Sequence, residues 1–347
     1  MHKYNNFTVI IPEHNRPNHL KRLLEYYLSQ NVHVIVADSS IKKFCFLEEY
    51  IDRISYHHFP QSFLAEKINY ILPYIDTPYV VMCANDDFVI PNAVNIITEF
   101  LDNHLDYNSG QGIYIDFDTT DKSTKLSLRY PNMLTEQIDE DNGCDRVLHL
   151  MKSYFQYYYA VHRTSIFKEI YSSLMKDEKT QICNLCLLES YVSSYPAIDG
   201  KHKIIQRLYA ARENIIDSAA TYTDPIPQII TKKKYQGEYS AYIDLLTKLL
   251  VSKDNILPEK AKQIIHESIE IYLNENFPYY DMFTSKVNRF LKYLIYKIDL
   301  LKIINQFRKI NHRKNNNALD KLDTMIGFED WHNIEKHIQI FSKLCYK

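Results

Sequence analysis

The stretch "YVVMCANDDFVIP", Tyr79 to Pro91, runs an apolar segment straight into two adjacent carboxylates. Tyr79 to Ala84 are apolar, few in number and preceded by the turn-like Asp76-Thr77-Pro78, the pattern of a fully buried strand. Asn85, Asp86 and Asp87 then stand at the carboxyl end of that strand, where open α/β sheets bind their ligands. Neighbouring like charges cost free energy unless a cation or solvent offsets them. The segment alone allows two readings. It is either a ligand-facing acidic loop or a solvated turn in which Asp87 or Asn92 caps the next helix.

The surrounding chain favours an α/β sheet. "FTVIIP" (7–12) reads as a buried strand, "PNHLKRLLEYYLSQ" (17–30) as an amphipathic helix and "VHVIVAD" (32–38) as a second strand. A helical "FCFLEEYID" (44–52), a short "ISYHHF" strand (54–59) and a helix over 61–72 lead back to the strand that ends at Ala84. Such alternation predicts βαβ units and a mainly parallel sheet. A helix from Asn92 to about His104 and a strand "GIYIDFD" (112–118) follow, then a polar surface excursion over 119–142. From Cys144 the pattern is mostly helical, broken by strand-like "FQYYYAVHR" (155–163) and "KIIQRLYAAR" (203–212); beyond 235 every segment reads as helix.

Bulk properties narrow the function classes. With 347 residues, 46% hydrophobic and 24% charged, the chain is a folded one able to bury a sizeable core. A net charge of −2 argues against a general nucleic-acid binder. The six cysteines are scattered, as expected of reduced cytoplasmic thiols; Cys183 and Cys186 form a C-x-x-C without a second ligand pair. The first strand begins almost at once, without a signal-peptide pattern, and no run reaches the 18 or more apolar residues of a membrane span. Six glycines, none in a GxGxxG or GxxxxGK[ST] arrangement, exclude a glycine-rich phosphate loop.

With these segments in place, the chain resembles the family-2-type glycosyltransferases of the GT-A fold. "FTVIIPEHNRPNHLKRLLEYY" is similar to their opening strand and Pro-x-x-Asn-Arg loop, and "VIVADSS" to their second-strand motif, whose final Asp contacts the donor base. "KINYILPYIDTPYVVMCANDD" resembles the block that ends in Asp-x-Asp-Asp, with the spacing from Asn69 to Asp87 kept. "YAVHRTSIFKEIY" (159–171) and "LLESYVSSYPAIDGKHKIIQRLYAARE" resemble the acceptor-side strand and the block carrying the catalytic carboxylate. The variant with "ADSS" and "C-A-x-DDF-x-x-P" is most like a bacterial subgroup found with surface-polysaccharide genes. The likeness spans about residues 7–215, and Ala84 departs from it, replacing the first Asp of the metal motif.

The resemblance implies a nucleotide-diphospho-sugar transferase of Rossmann-like GT-A architecture over 1–235, with a C-terminal helical extension over 236–347. It implies a nucleotide-sugar donor contacted by Pro12, Asn15, Arg16, Asp38, Lys67, Asn85 and Arg212, and Mg²⁺ or Mn²⁺ at Asp86 and Asp87. His162 and Arg163 would meet a glycan or lipid-linked acceptor, and Glu189 would be the general base of an inverting transfer.

The residue chemistry is compatible with each role. Oxygen ligands suit Mg²⁺ and Mn²⁺, Arg pairs with phosphate bidentately, and a strand-end Asp accepts from a base N–H. Against these stand structural alternatives: an Asx turn of Asp38 with Ser39 and Ser40, a solvated Arg16 at a helix start, and a strand-end His162–Arg163 pair. Glu189 lies in the apolar "CNLCLLESYV", where burial would raise its pKa toward that of a working base.

Segment 286–314 holds nine Lys or Arg against a single Asp299, with apolar residues at helical spacing. It reads either as a helix packed on the catalytic part or as a basic amphipathic helix on an anionic inner-membrane surface. Rival functions are a nucleotidyltransferase, which lacks its glycine-rich loop here, and a catalytically inactive glycan-binding scaffold. A third is a metal-independent transferase using a CMP-linked acid sugar, which Ala84 would suit.

Overall fold

A computed structural model describes residues 6–119, 124–175, 181–215, 223–277 and 325–345. Segment 286–314 lies outside them, as does its expected packing or membrane role. The amino-terminal half builds β1 (Phe7–Glu13), α1 (Pro17–Leu28), β2 (His33–Asp38), β3 (Ser55–His58), α2 (Leu64–Ile71), β4 (Tyr79–Met82), β5 (Phe88–Val89) and α3 (Pro91–Asn103). There follow β6 (Tyr107–Thr119), β7 (Thr124–Leu128), α4 (Gly143–Lys152), β8 (Val161–Arg163), α5 (Thr164–Ser173), α6 (Leu185–Asp199) and β9 (Lys201–Glu213). Helices α7 (Ile226–Thr231), α8 (Gln236–Asp254), α9 (Pro258–Asn276) and a final helix α10 (Glu329–Cys345) complete the described chain.

The strands form one nine-stranded sheet in the order β3-β2-β1-β4-β8-β6-β9-β5, with β7 paired to β6. Strands β1 to β4 are mutually parallel, and β8 runs against both β4 and β6. Strand β9 lies parallel to β6. Six strands (β1–β4, β6 and β9) therefore share one direction, and their carboxyl ends open on one edge. Valines, isoleucines and Phe7 of β1, β2 and β4 are fully buried, as a strand covered on both faces requires.

Local chemistry sets the helix starts. Pro17 opens α1 at a position where its missing N–H is no loss, and Leu20, Leu23, Leu24 and Tyr27 carry the buried stripe. Asn15, just before it, takes a left-handed φ of 56°, which Asn tolerates better than most residues. Pro91 likewise opens α3, whose N-cap Ile90 makes no side-chain cap bond. Asp87 and Asn92 are thus not its cap, and the turn-capping reading of the acidic loop gives way.

Several sequence expectations shift. "FCFLEEYID" holds only a 3-10 turn at Leu47–Glu49 rather than a helix. The polar excursion contains β7, which zips onto β6 as a hairpin arm. Of the strand expected over 155–163, only Val161–Arg163 pairs; Phe155, Tyr157 and Tyr159 pack inward instead, with Tyr157 stacked on His202 at 3.8 Å.

The C-terminal helices return to the sheet domain. Helices α8 and α9 pack on α4 and α6, and Tyr272 of α9 meets the Tyr154 ring edge-on at 4.9 Å. Helix α10 lies against α1, with buried Trp331 beside Phe117 at 5.7 Å and Asp330 paired to Arg207 at 3.2 Å.

Strands β6 and β9 cross their irregular register at Gly112, where an added Cβ would lie 2.6 Å from the Arg207 carbonyl oxygen and 2.7 Å from the Tyr209 Cβ. Gly237, on α8, has nothing within 4 Å. Gly112→Ala should therefore cost about 1–3 kcal/mol by overpacking, whereas Gly237→Ala should be neutral or stabilise by about 0.5 kcal/mol. Denaturant midpoints of the two variants check this; equal effects would contradict the packing at Gly112.

Candidate functional site

The shared carboxyl edge gathers Glu13 from β1, Asp38 from β2, the 83–87 loop after β4, Asp116 from β6 and Arg212 with Glu213 from β9. Because β8 runs the other way, its amino-terminal approach, Tyr159 and Ala160, reaches the same edge.

Each side chain of the acidic loop faces a different direction. Asn85 donates to Glu13 Oε2. Asp86 Oδ2 accepts from Arg16 Nη1 at 2.5 Å, with the arginine one quarter exposed and the aspartate 13% exposed. Asp87 is buried: its Oδ2 accepts from Tyr159 Oη at 2.5 Å and Arg212 Nε at 3.2 Å, and its Oδ1 from the Glu213 amide at 2.8 Å. Burial, and next the charge of Asp86, push the Asp87 pKa up; the Arg212 charge holds it down. Arg22, fully buried on α1, donates to the Asp86 carbonyl at 2.9 Å and to Glu213 Oε2 at 2.8 Å.

The β1–β2 rim is similarly bound together. Pro12 pairs with β2 alone, since the β4 ladder ends at Ile10 and Met82, so its lack of an N–H leaves no gap. The Asn15 amide donates to Ser40 Oγ at 2.7 Å. Asp38 is buried and accepts from the Ser40 amide at 2.7 Å and from Tyr56 Oη at 2.5 Å. The Asx-type turn therefore coexists with a strand-end position. Lys67 donates to the Glu13 carbonyl at 2.6 Å and Ser39 Oγ at 3.1 Å, and burial lowers its pKa to about 8. It ties the two strand ends together from beneath.

On the other side, Glu189 projects from the first turns of α6, whose N-cap Asn184 accepts from the Leu187 amide. Gln156 Nε2 donates to Glu189 Oε2 at 2.6 Å, and Gln156 Oε1 accepts from Arg212 Nη1 at 2.7 Å. A chain of side-chain hydrogen bonds thus runs Glu189–Gln156–Arg212–Asp87. Burial raises the Glu189 pKa, against the charges of Arg212 and Arg129 and the Gln156 bond. Arg129 is itself paired to Asp116 at 3.2 Å.

Two expected residues stand apart. Arg163 pairs in register with Tyr79, at the start of β4 and so at the opposite edge. There its guanidinium closes the end of α3, donating to the carbonyls of Leu101 at 2.5 Å and Tyr107 at 3.0 Å. His162 is buried beneath the sheet, near the Tyr157 carbonyl at 3.2 Å, and burial lowers its pKa to about 4. This placement corrects the acceptor-contact expectation: both side chains are committed to the fold. Pro12, Asn15, Arg16, Asp38, Lys67, Asn85, Asp86, Asp87, Arg212 and Glu189 do come together along the carboxyl edge and its flank. The sequence reading passed over Glu13, Arg22, Gln156, Tyr159 and Glu213. A Gln among consecutive tyrosines that fail to alternate was the one available signal.

The metal implied by resemblance is not matched by these donors. Hard divalent cations take several free oxygen ligands, whereas Asp87 is spent on Tyr159, Arg212 and the Glu213 amide, and Asp86 faces a guanidinium. Among the described residues no three His, Cys, Asp or Glu side chains are grouped to hold an ion. Cys183 and Cys186 are free thiols whose pKa values burial raises.

Residues 8–170, just under half of the chain, match the family described as Glycosyl transferase family 2. The crystal structure of S. aureus TarS 1–349 superposes with a TM-score of 0.53 at 13% identity, covering 82% of this chain and 76% of that one. The same fragment in complex with UDP-GlcNAc gives 0.54 at 13% identity, covering 82% and 77%; in complex with UDP it gives 0.52 at 14%, covering 82% and 76%. No curated protein matches the chain by sequence. The chain has the GT-A fold with added C-terminal helices, and the family match on that fold supports a glycosyltransferase. Among the described residues no helix is long and apolar enough to cross a membrane.

Glu13 offers a test of the site's electrostatics. Burial raises its pKa from 4.5 to about 7, against the Asn85 and Arg16 hydrogen bonds. A carboxyl raised in the folded state binds more protons there than when unfolded, so its contribution to stability is full below pH 4.5 and falls as pH rises to about 7. Relative to Glu13→Gln, the wild type should lose stability across that window and run parallel above it. Urea unfolding at a series of pH values measures the difference; a difference independent of pH would contradict a raised Glu13.

Proposed function

We propose that this chain transfers a sugar from a nucleotide-sugar donor to a hydroxyl of a growing bacterial surface glycan, in an inverting displacement with Glu189 as general base. The observation that carries the reading is Glu189 itself. It is a half-buried carboxylate on the flank of the strands' carboxyl edge, its pKa raised by burial and its orientation set by Gln156, which is held in turn by Arg212. A carboxylate so tuned is suited to take a proton from an acceptor hydroxyl.

In this reading the donor lies along the carboxyl edge. The fold shared with a protein solved in complex with UDP-GlcNAc supports a nucleotide sugar there. Asp38 lies at the base end, Pro12, Asn15 and Arg16 line the rim, and Arg212 stands between donor and base. Glu189 removes the acceptor proton, the hydroxyl oxygen attacks the anomeric carbon, and the bond to phosphate breaks with its electron pair on the leaving nucleotide. One displacement from the face opposite the phosphate inverts the anomeric centre. Half-buried Tyr130, Tyr154 and Tyr272 lie in the surroundings of Glu189, rings of the kind on which a sugar face packs. Tyr272 brings the C-terminal helices into that wall.

The surface-glycan assignment rests on the sequence resemblance and extends to localisation. Nine basic residues against one acidic in 286–314 suit a chain that meets a lipid-linked acceptor at the cytoplasmic face of the inner membrane. A purely scaffolding role is disfavoured by the base-like tuning of Glu189, which glycan binding alone does not require.

Glu189→Gln keeps the shape and the Gln156 contact but removes the proton acceptor. Transfer should fall about 10²–10⁴-fold while donor affinity and melting temperature hold. A folded Glu189→Gln protein that transfers at the wild-type rate would refute the assignment.

A further inference from the structure

The 84–87 loop, implied to be a metal site, has its side chains satisfied by protein groups instead. Ala84 offers no ligand, Asn85 is held by Glu13, and Asp87 is turned inward onto Tyr159, Arg212 and the Glu213 amide. Asp86, the remaining carboxylate, meets Arg16 Nη1 at 2.5 Å.

Arg16 is well placed to act in its own right. Its main chain is fixed at the N-cap of α1, with its amide donating to Glu13 Oε1 at 2.6 Å and its carbonyl accepting from Leu20 at 3.0 Å. The first turn of α1 holds no acidic residue of its own, and the Glu13 carboxyl meets the helix start at the Arg16 amide. The guanidinium remains one quarter exposed at the carboxyl edge of the sheet, and the Asp86 main chain is fixed by Arg22.

We propose that Arg16 takes the place of the divalent cation in this donor site, and that Asp86 is the positioning residue that aims it at the phosphates. This rests on the nucleotide-sugar reading above and specifies how its leaving group is stabilised. As the sugar–phosphate bond breaks, the electron pair and its charge remain on the phosphate oxygen, where the planar guanidinium donates two parallel hydrogen bonds. The acceptor's proton leaves through Glu189, and none is transferred at Arg16. An arginine paired to one carboxylate before the donor arrives is preorganised at little further entropic cost.

The two accounts of Asp86 differ in their dependence on the cation. A metal ligand that is replaced loses only the affinity gained with Mn²⁺; a positioning partner changed to Ala loses affinity in EDTA as well, because nothing then holds Arg16. The experiment measures binding of UDP, GDP, dTDP and CMP to the full chain by calorimetry, in EDTA and in excess Mn²⁺. The best-bound nucleotide should bind the wild type equally well in both. In EDTA, Arg16→Gln should weaken it about tenfold or more and Arg16→Lys should weaken it less, while Asp86→Ala, which releases the guanidinium, should weaken it more than Asp86→Asn, whose amide oxygen still accepts from Arg16. Circular-dichroism melts of the same variants exclude misfolding. Affinity that rises tenfold with Mn²⁺ in the wild type but not in Asp86→Asn would overturn the proposal and leave the donor reading standing. Failure of all four nucleotides to bind wild type would overturn both.

Discussion

The buried guanidinium of Arg22 holds the working edge of this molecule together. It joins α1 to the main chain of the acidic loop at Asp86 and to the end of β9 at Glu213, with the Phe88 ring 5.0 Å beneath it. Neither charged side chain reaches solvent to any extent, so each depends on the other. Removing one partner of such a pair typically costs about 3–5 kcal/mol because the other is left buried and uncompensated. What that expense achieves here is alignment. Strand β1 with its helix, the loop after β4 and the tip of β9 come from distant parts of the sequence, and Arg22 is bonded to the second and third while belonging to the first.

From this anchor the two halves of the carboxyl edge acquire different electrostatics. The β1–β2–β4 side is a set of carboxylates each answered by a specific partner: Glu13 by Asn85 and the Arg16 amide, Asp38 by Tyr56 and the Ser40 amide, Asp86 by Arg16. The Glu189 side is aromatic, and there burial raises the Glu189 pKa despite two nearby arginines. Arg212 belongs to both, bonded to Asp87 on one hand and to Gln156 on the other. A change in charge beside Asp87 therefore has a short hydrogen-bonded route to Glu189.

Most of the sheet was legible because periodicity and strand–helix alternation are local properties. The buried runs at 7–12, 32–38 and 79–84 announce their own strands, and prolines at 17 and 91 announce helix starts. The ends of strands were legible for the same reason, which is why Asp38, Asp86 and Arg212 read as strand-end residues; their proposed roles came from the family resemblance. What escaped depends on tertiary pairing. "FQYYYAV" has strand composition, yet only the residues from Val161 onward meet a partner strand, leaving Gln156 and Tyr159 free of the ladder to serve the site. Arg163 read as an acceptor contact through the family resemblance, but β8 is antiparallel to β4 and carries it to the opposite edge, where it closes the end of α3. Glu13 and Arg22 looked like ordinary strand and helix residues; only the register of distant segments reveals that they are buried against the acidic loop.

The central claim is that these strand ends form a nucleotide-sugar site that performs transfer chemistry. Its most direct test is to incubate the purified chain with UDP-, GDP-, CMP- and dTDP-linked sugars and to follow both melting temperature and release of free nucleotide. One donor class should raise the melting temperature and be consumed, slowly by water alone and faster when a glycan acceptor is supplied. A folded protein that neither is stabilised by, nor consumes, any of the four would contradict the account.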